Sequence, residues 1–270
     1  MVGDLFRIVA AYGIEEIYPI LILATLRPFG LLFGFTAISW AFGAGRTLRL
    51  SVAVALGLPT LAVTVSDIET LVAEATIGQL ALVAPKEFLL GLLLGFLASL
   101  PFWALRYAGS IIATFKGEAD GGFQDPADGT MESLAVLFQL IGLAAFAHAG
   151  GLWIITANLY QSYGIWPLYS AFPEFQGNTI RVVFDILITT LLLAIRTALP
   201  ILAVLVFVDF TLMIAARIGR RFRLFEYSFM AKNLSVVLLL PVFAYLLWTM
   251  NTDIADASAQ GLDFLQEIFR

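Results

Sequence analysis

The chain has 270 residues, 60% of them hydrophobic and 13% charged, with 23 Phe and a mean hydropathy of +0.93. A soluble domain of that size has too much surface to cover with such a composition, so the class is integral membrane. A net charge of -5 leaves no basic field for nucleic acid, and the absence of Cys excludes disulfides and thiolate metal sites.

The N-terminus, MVGDLFRIVAAYGIEEIYP, has neither a basic leader nor a small-residue cleavage site, so no removable signal is expected. Six apolar runs follow, roughly 17–42, 50–65, 88–105, 133–156, 182–208 and 234–250. The second is short and broken by Gly57 and Pro59. Continuous runs argue against the alternating strands of a β-barrel. The expected fold is all-α, one unit spanning 1–270, with about six hydrophobic helical segments. Basic residues gather in alternate breaks: Arg46 and Arg49, then Arg106 and Lys116, then Arg217, Arg220, Arg221 and Arg223. With six crossings, that bias puts these loops in the cytoplasm and both termini outside.

Charges inside the apolar runs are costly. Even lenient insertion scales charge ~2.5–3.5 kcal/mol for an ionised side chain at mid-bilayer. Arg27, Lys86, Glu87, Arg196, Asp209 and Lys232 are therefore expected to face protein, a wet cavity or the interface. For Lys86 and Lys232 snorkelling near a helix end competes evenly with a buried contact. Arg27 and Arg196 lie deeper, each near a Pro, and are read as buried polar or assembly contacts. Two small-residue motifs, Gly30-Leu-Leu-Phe-Gly34 and Gly91-Leu-Leu-Leu-Gly95, make close helix contacts plausible.

Between the third and fourth runs lies a soft acidic tract, FKGEADGGFQDPADGT, from Phe115 to Thr130. Read as a loop from Arg106 to Glu132, it is far longer than a helical turn needs, and long loops are often functional. Its carboxylates lack the spacing of a calcium loop, and it has no P-loop lysine. The lone histidine, His148, excludes paired-histidine zinc chemistry and reads as a packed helix residue bonded to a carbonyl. No catalytic set, cofactor site or metal site is visible. The competing functional readings are a channel component, a secondary transporter of a small solute, and an intramembrane enzyme; the transporter lacks the two related halves expected of it.

The order of motifs is more informative than any one of them. Arg27 in the first run, PKEFLLGLLLGFLASLPFWAL at 85–105, Gly109, Asp125-Pro126, Ser133, AAFAHAGGLWIITANLYQSYGIWPL at 144–168, and then Asp209, an Arg cluster and Lys232 in FMAKN follow one another. Together they resemble the FliR/SctT family, membrane proteins of the export apparatus in flagella and type III secretion injectisomes. The SYGIWP ending is closer to the injectisome branch. RIGRRFRLFEYS is more basic than the family's corresponding tract.

The resemblance implies a single copy of this chain in a bacterial inner membrane, wound as helical hairpins with smaller export-apparatus subunits. A large export-gate protein and a switch protein are further possible partners, and unfolded secretion substrates would pass through. It also implies a loop that helps close the pore. On this chain the loop residues are Arg106, Gly109, Phe115, Lys116, Gly117, Gly121, Gly122, Phe123, Asp125 and Pro126.

Overall fold

The computed structural model describes residues 14–37, 46–63, 77–116, 123–125, 129–131, 133–168, 179–218 and 228–249. Among the described residues seven helices carry the fold: α1 (Ile14–Gly34), α2 (Arg46–Val63), α3 (Ile77–Lys116), α4 (Ser133–His148), α5 (Gly151–Ile165), α6 (Thr179–Ile218) and α7 (Ser228–Thr249). Between α3 and α4 runs a short antiparallel ribbon of β1 (Phe123–Asp125) and β2 (Gly129–Met131), pairing Phe123 with Met131 and Asp125 with Gly129.

All six expected segments are helical over most of their described residues, with three differences. First, α3 is 40 residues long and reaches Lys116, well past the expected end at Leu105. Small and apolar residues let it continue: Ala108, Ile112 and Ala113 are fully buried, and Gly109 lies against the backbone of Leu134 and Ala135. Second, the fourth run is two helices. Gly150 sits at φ 77, a left-handed conformation that a glycine enters without strain, and α5 restarts from it. Third, the acidic tract contains the short β ribbon, an addition to a fold that is otherwise helical as expected.

By length and composition, two helices suffice to cross a membrane, Val83–Lys116 and Phe184–Ile218, or three spans if α4 and α5 count as one broken span, among the described residues. Among the described residues, α1, α2 and α7 carry shorter apolar stretches.

The chain forms two compact units, each assembled from separated segments. Among the described residues, unit 1 takes those within 14–100 and 150–184, and unit 2 those within 101–149 and 185–249.

In unit 1, α1 packs on α2, and both touch α5. The α1 contact with α3 is set by the two glycine motifs. A Cβ on Gly30 or Gly34 would strike the carbonyl oxygen of Phe88 or Leu92, and one on Gly91 or Gly95 would strike that of Arg27 or Leu31. The two motifs are therefore the two halves of one crossing, and each glycine hydrogen points at a carbonyl of the other helix, where weak Cα–H···O bonds form. Ser99 extends the small stripe and donates to the carbonyls of Gly34 at 3.2 Å and Gly95 at 2.9 Å. Phe88 packs beside Phe29 and Phe33, with centroids 6.1 and 6.2 Å away.

Unit 2 has an aromatic core. Phe102 meets Phe146 edge-on at 5.2 Å, and Phe138 meets Phe243 of α7 at 4.4 Å. Outside that core, α6 leaves Leu187, Leu191, Leu199, Phe207, Phe210 and Met213 exposed. Its hydroxyls do not need water: Thr189, Thr190, Thr197 and Thr211 each donate to the carbonyl four residues earlier. A helix so finished suits hydrocarbon or an apolar partner.

Gly91→Val should lower the thermal midpoint of the full chain in detergent, with an overpacking cost of at least about 1–3 kcal/mol. Gly164→Ala is the control, because no atom lies within 4 Å of the added methyl. An unchanged midpoint for Gly91→Val would mean that the α1–α3 crossing is not close-packed.

Candidate functional site

Three motifs far apart in sequence meet in unit 1. Arg27 comes from α1, Lys86 and Glu87 from α3, and Ser162 to Leu168 from the end of α5. The end of α5 is built for this role. Trp166 precedes Pro167, and a residue before proline is pushed out of the helical region; Trp166 is extended at φ -133, ψ 95. The carbonyls of residues 166–168 thereby leave the helix ladder and accept from the two cations.

Arg27 uses them, and its side chain is fully buried. Nε donates to Glu87 Oε2 at 2.7 Å and Nη2 to Glu87 Oε1 at 3.0 Å, a two-pronged grip. Nη1 donates to Ser162 Oγ at 3.0 Å, and Nη2 also donates to the Trp166 carbonyl at 2.9 Å. The guanidinium lies 3.9 Å from the Tyr163 ring centroid, a cation–π contact.

Lys86 completes the group. Its Nζ lies 2.8 Å from Glu87 Oε1 and donates to the carbonyls of Pro167 at 3.0 Å and Leu168 at 3.1 Å. Lys86 is thus buried against named partners, with the Trp166 ring 5.6 Å away, and does not snorkel.

The group holds two cations and one carboxylate. Its excess positive charge sits at the C-terminal end of α5, where the helix dipole and the carbonyls of residues 166–168 supply negative potential. Each charged side chain in the group is bound to partners within unit 1, which makes the arrangement a structural clamp.

A second polar contact lies in unit 2. Lys232 Nζ is 2.8 Å from Asp209 Oδ2 and donates to the Phe115 carbonyl at 3.1 Å. Ser228 Oγ donates to Asp209 Oδ1 at 3.4 Å. The Asp209 side chain is 42% exposed, which makes this a partly wet clasp. Its position matters more than its strength, because Phe115 is one residue before the end of α3.

The remaining expected residues divide three ways. Arg106, Gly109, Phe115 and Lys116 lie on α3, not in a loop. Arg106 stacks by the Trp103 ring at 5.5 Å, Phe115 is exposed, and Lys116 is buried. Phe123 and Asp125 lie on β1, while Gly117, Gly121, Gly122 and Pro126 fall outside the described residues. Arg196 is exposed on α6, so the expectation of a buried contact for it within this chain is corrected; its side of α6 faces away from the unit's core. His148 is also exposed, stacked on Trp248 at 4.5 Å, and is not the packed residue expected.

Sequence reading missed Ser162, Tyr163 and the 166–168 carbonyls as partners of Arg27. The signal was present in the helix-ending Trp-Pro pair, which frees acceptors, but it named no donor.

A family model described as "Bacterial export proteins, family 1" matches residues 18–257. Among curated proteins, "Yop proteins translocation protein T" of Yersinia pestis is 29% identical over 165 residues, 61% of this chain and 63% of the relative. "Surface presentation of antigens protein SpaR" of Shigella flexneri is 32% identical over 156 residues, 57% and 59% of the two chains. "Secretion system apparatus protein SsaT" of Salmonella typhimurium is 28% identical over 163 residues, 60% and 62% of the two. The match thus spans less than two thirds of the relatives' length.

Arg27→Ala should destabilise the full chain by ~3–5 kcal/mol, because Glu87 loses its main partner while still buried. Arg27→Lys keeps the charge without the fork and should rescue only in part. The double variant Arg27→Met with Glu87→Leu should be milder than either Arg27→Ala or Glu87→Ala. Thermal midpoints of the four variants check this; strictly additive losses would show that the pair does not act as a unit.

Proposed function

Since the chain belongs to the bacterial export proteins, family 1, the FliR/SctT family that its motifs resemble, we propose that it is a non-enzymatic subunit of a type III secretion export gate of the injectisome kind. It sits in the bacterial inner membrane, assembles with smaller export-apparatus subunits, and forms part of the entrance channel for unfolded secreted proteins. The names of the curated relatives, a translocation protein and a secretion-system apparatus protein among them, support this reading. So does the bare apolar face of α6, which calls for lipid or for neighbouring subunits.

The β1–β2 ribbon is the movable part of the gate. The observation that carries this is its slack. Gly109 of α3 packs on Leu134 and Ala135 at the start of α4, two turns of helix before α3 ends. The connection therefore has to return only about 10 Å along the α3 axis. Residues 117–132 could span on the order of 50 Å if extended. Part of the surplus is folded back as the β1–β2 ribbon. A lone two-stranded ribbon is marginally stable and can be displaced at low cost. The Asp209–Lys232 clasp holds its root at Phe115. The result is a short flap on a fixed hinge, suited to cover a pore when idle and to swing aside for a substrate.

Deleting Gly121 and Gly122 should leave the assembled complex recoverable and make membranes that contain it leaky to ions or small dyes. Pro126 variants should impair assembly as well, because the proline restricts the residue before it and so the path into β2. An assembled Gly121–Gly122 deletion that stays fully tight would reject the flap and leave a plain connecting loop.

A further inference from the structure

Unit 1 also contains an open-sided pocket of about 380 Å³ between α1, α2 and α5, separate from the Arg27 clamp. Its lining is almost wholly apolar, with Leu31, Phe35, Val52, Leu56, Ile155 and Leu159 prominent. One cation belongs to that lining, Arg49, and its Nε is buried with no hydrogen-bond partner among the described residues. A buried donor without an acceptor is costly, and an open hydrocarbon groove is costly in water. One kind of molecule covers the groove and answers the guanidinium in its wall: an amphiphile with an anionic head and an aliphatic tail.

The geometry suits that molecule. Leu48, Val52 and Leu56 recur every four residues, so the groove follows α2 for about 12 Å. Arg49 lies near one end of it, in the first turn of α2, where the apolar run meets the polar segment. An arginine at the end of an apolar run lies at the depth of lipid headgroups, where anionic lipids supply acceptors. A partner helix would fill the groove with side chains but would have to bring an acceptor to one fixed point. A phospholipid brings its phosphate there as a matter of course.

We propose that this pocket binds one anionic phospholipid, with its phosphate accepting from Arg49 and an acyl chain lying along Val52, Leu56, Ile155 and Leu159. The site depends on the chain's residence in a membrane, not on the flap or on export.

The test is native mass spectrometry of the full chain after exchange into micelles carrying phosphatidylglycerol or phosphatidylcholine. One phosphatidylglycerol should be retained, with a preference of about fivefold over phosphatidylcholine, the factor that one cation facing anionic headgroups confers. Arg49→Gln should bring the preference close to parity, and Leu56→Trp, which fills the groove, should reduce retention of both lipids. Equal retention of the two lipids by the unaltered chain overturns the proposal without reference to any variant. So does undiminished phosphatidylglycerol retention by Arg49→Gln. In the assembled complex, a photocrosslinker at Val52 should label lipid; labelling of a neighbouring subunit instead would assign the groove to a protein contact.

Discussion

A guanidinium stays charged at any pH a cell offers, so a buried arginine must receive from protein every bond that water would have given it. Arg27 is in that position, and the requirement organises the whole of unit 1. Its donors demand a carboxylate from α3 and carbonyls from the end of α5. For α3 to bring Glu87 within reach, it must lie against α1 backbone to backbone, which the four glycines of the crossing permit. For α5 to offer carbonyls, it must stop where Trp166 and Pro167 stop it. Each of these local rules would be a weak stabiliser alone. Linked through one ion group, they allow a single arrangement of three helices. The clamp thus supplies specificity of arrangement more than net stability, since removing charges from water offsets much of their attraction.

Unit 2 follows a different logic. Its core is aromatic and its polar contact is half wet, so the clasp at Phe115 is weakly held by comparison with the clamp. The contrast matches the work proposed for each. A scaffold gains from contacts that tolerate no alternative, whereas the hinge of a movable segment gains from one that can be loosened.

Much of this was legible in the sequence, and the failures have physical causes. The apolar runs gave the helices, since bilayer-length hydrophobicity leaves little choice of structure. Arg27, Lys86 and Glu87 stood out because charge is expensive among Leu and Phe. Their mutual contact was not legible, because nothing in a linear run says which distant residue answers which. The pairing of the two glycine motifs was hidden for the same reason. Boundaries failed where composition was ambiguous: YAGSIIATF reads as neither oily span nor polar loop, and burial of Ile112 and Ala113 decided for helix. Arg196 misled because depth in an apolar run was taken for depth in a core, and α6 turns that side outward.

The clamp also has an order in time. Along the chain, Glu87 follows Arg27 by 60 residues, and Trp166 follows it by 139. At ~5–20 residues per second, the ribosome delivers the carboxylate roughly 3–12 seconds after the arginine, and the last carbonyl later still. Throughout that interval Arg27 is without Glu87, and its charge costs ~2.5–3.5 kcal/mol at mid-bilayer even on lenient scales. The arrival of α3 removes that cost, so α1 reaches its final footing only together with α3.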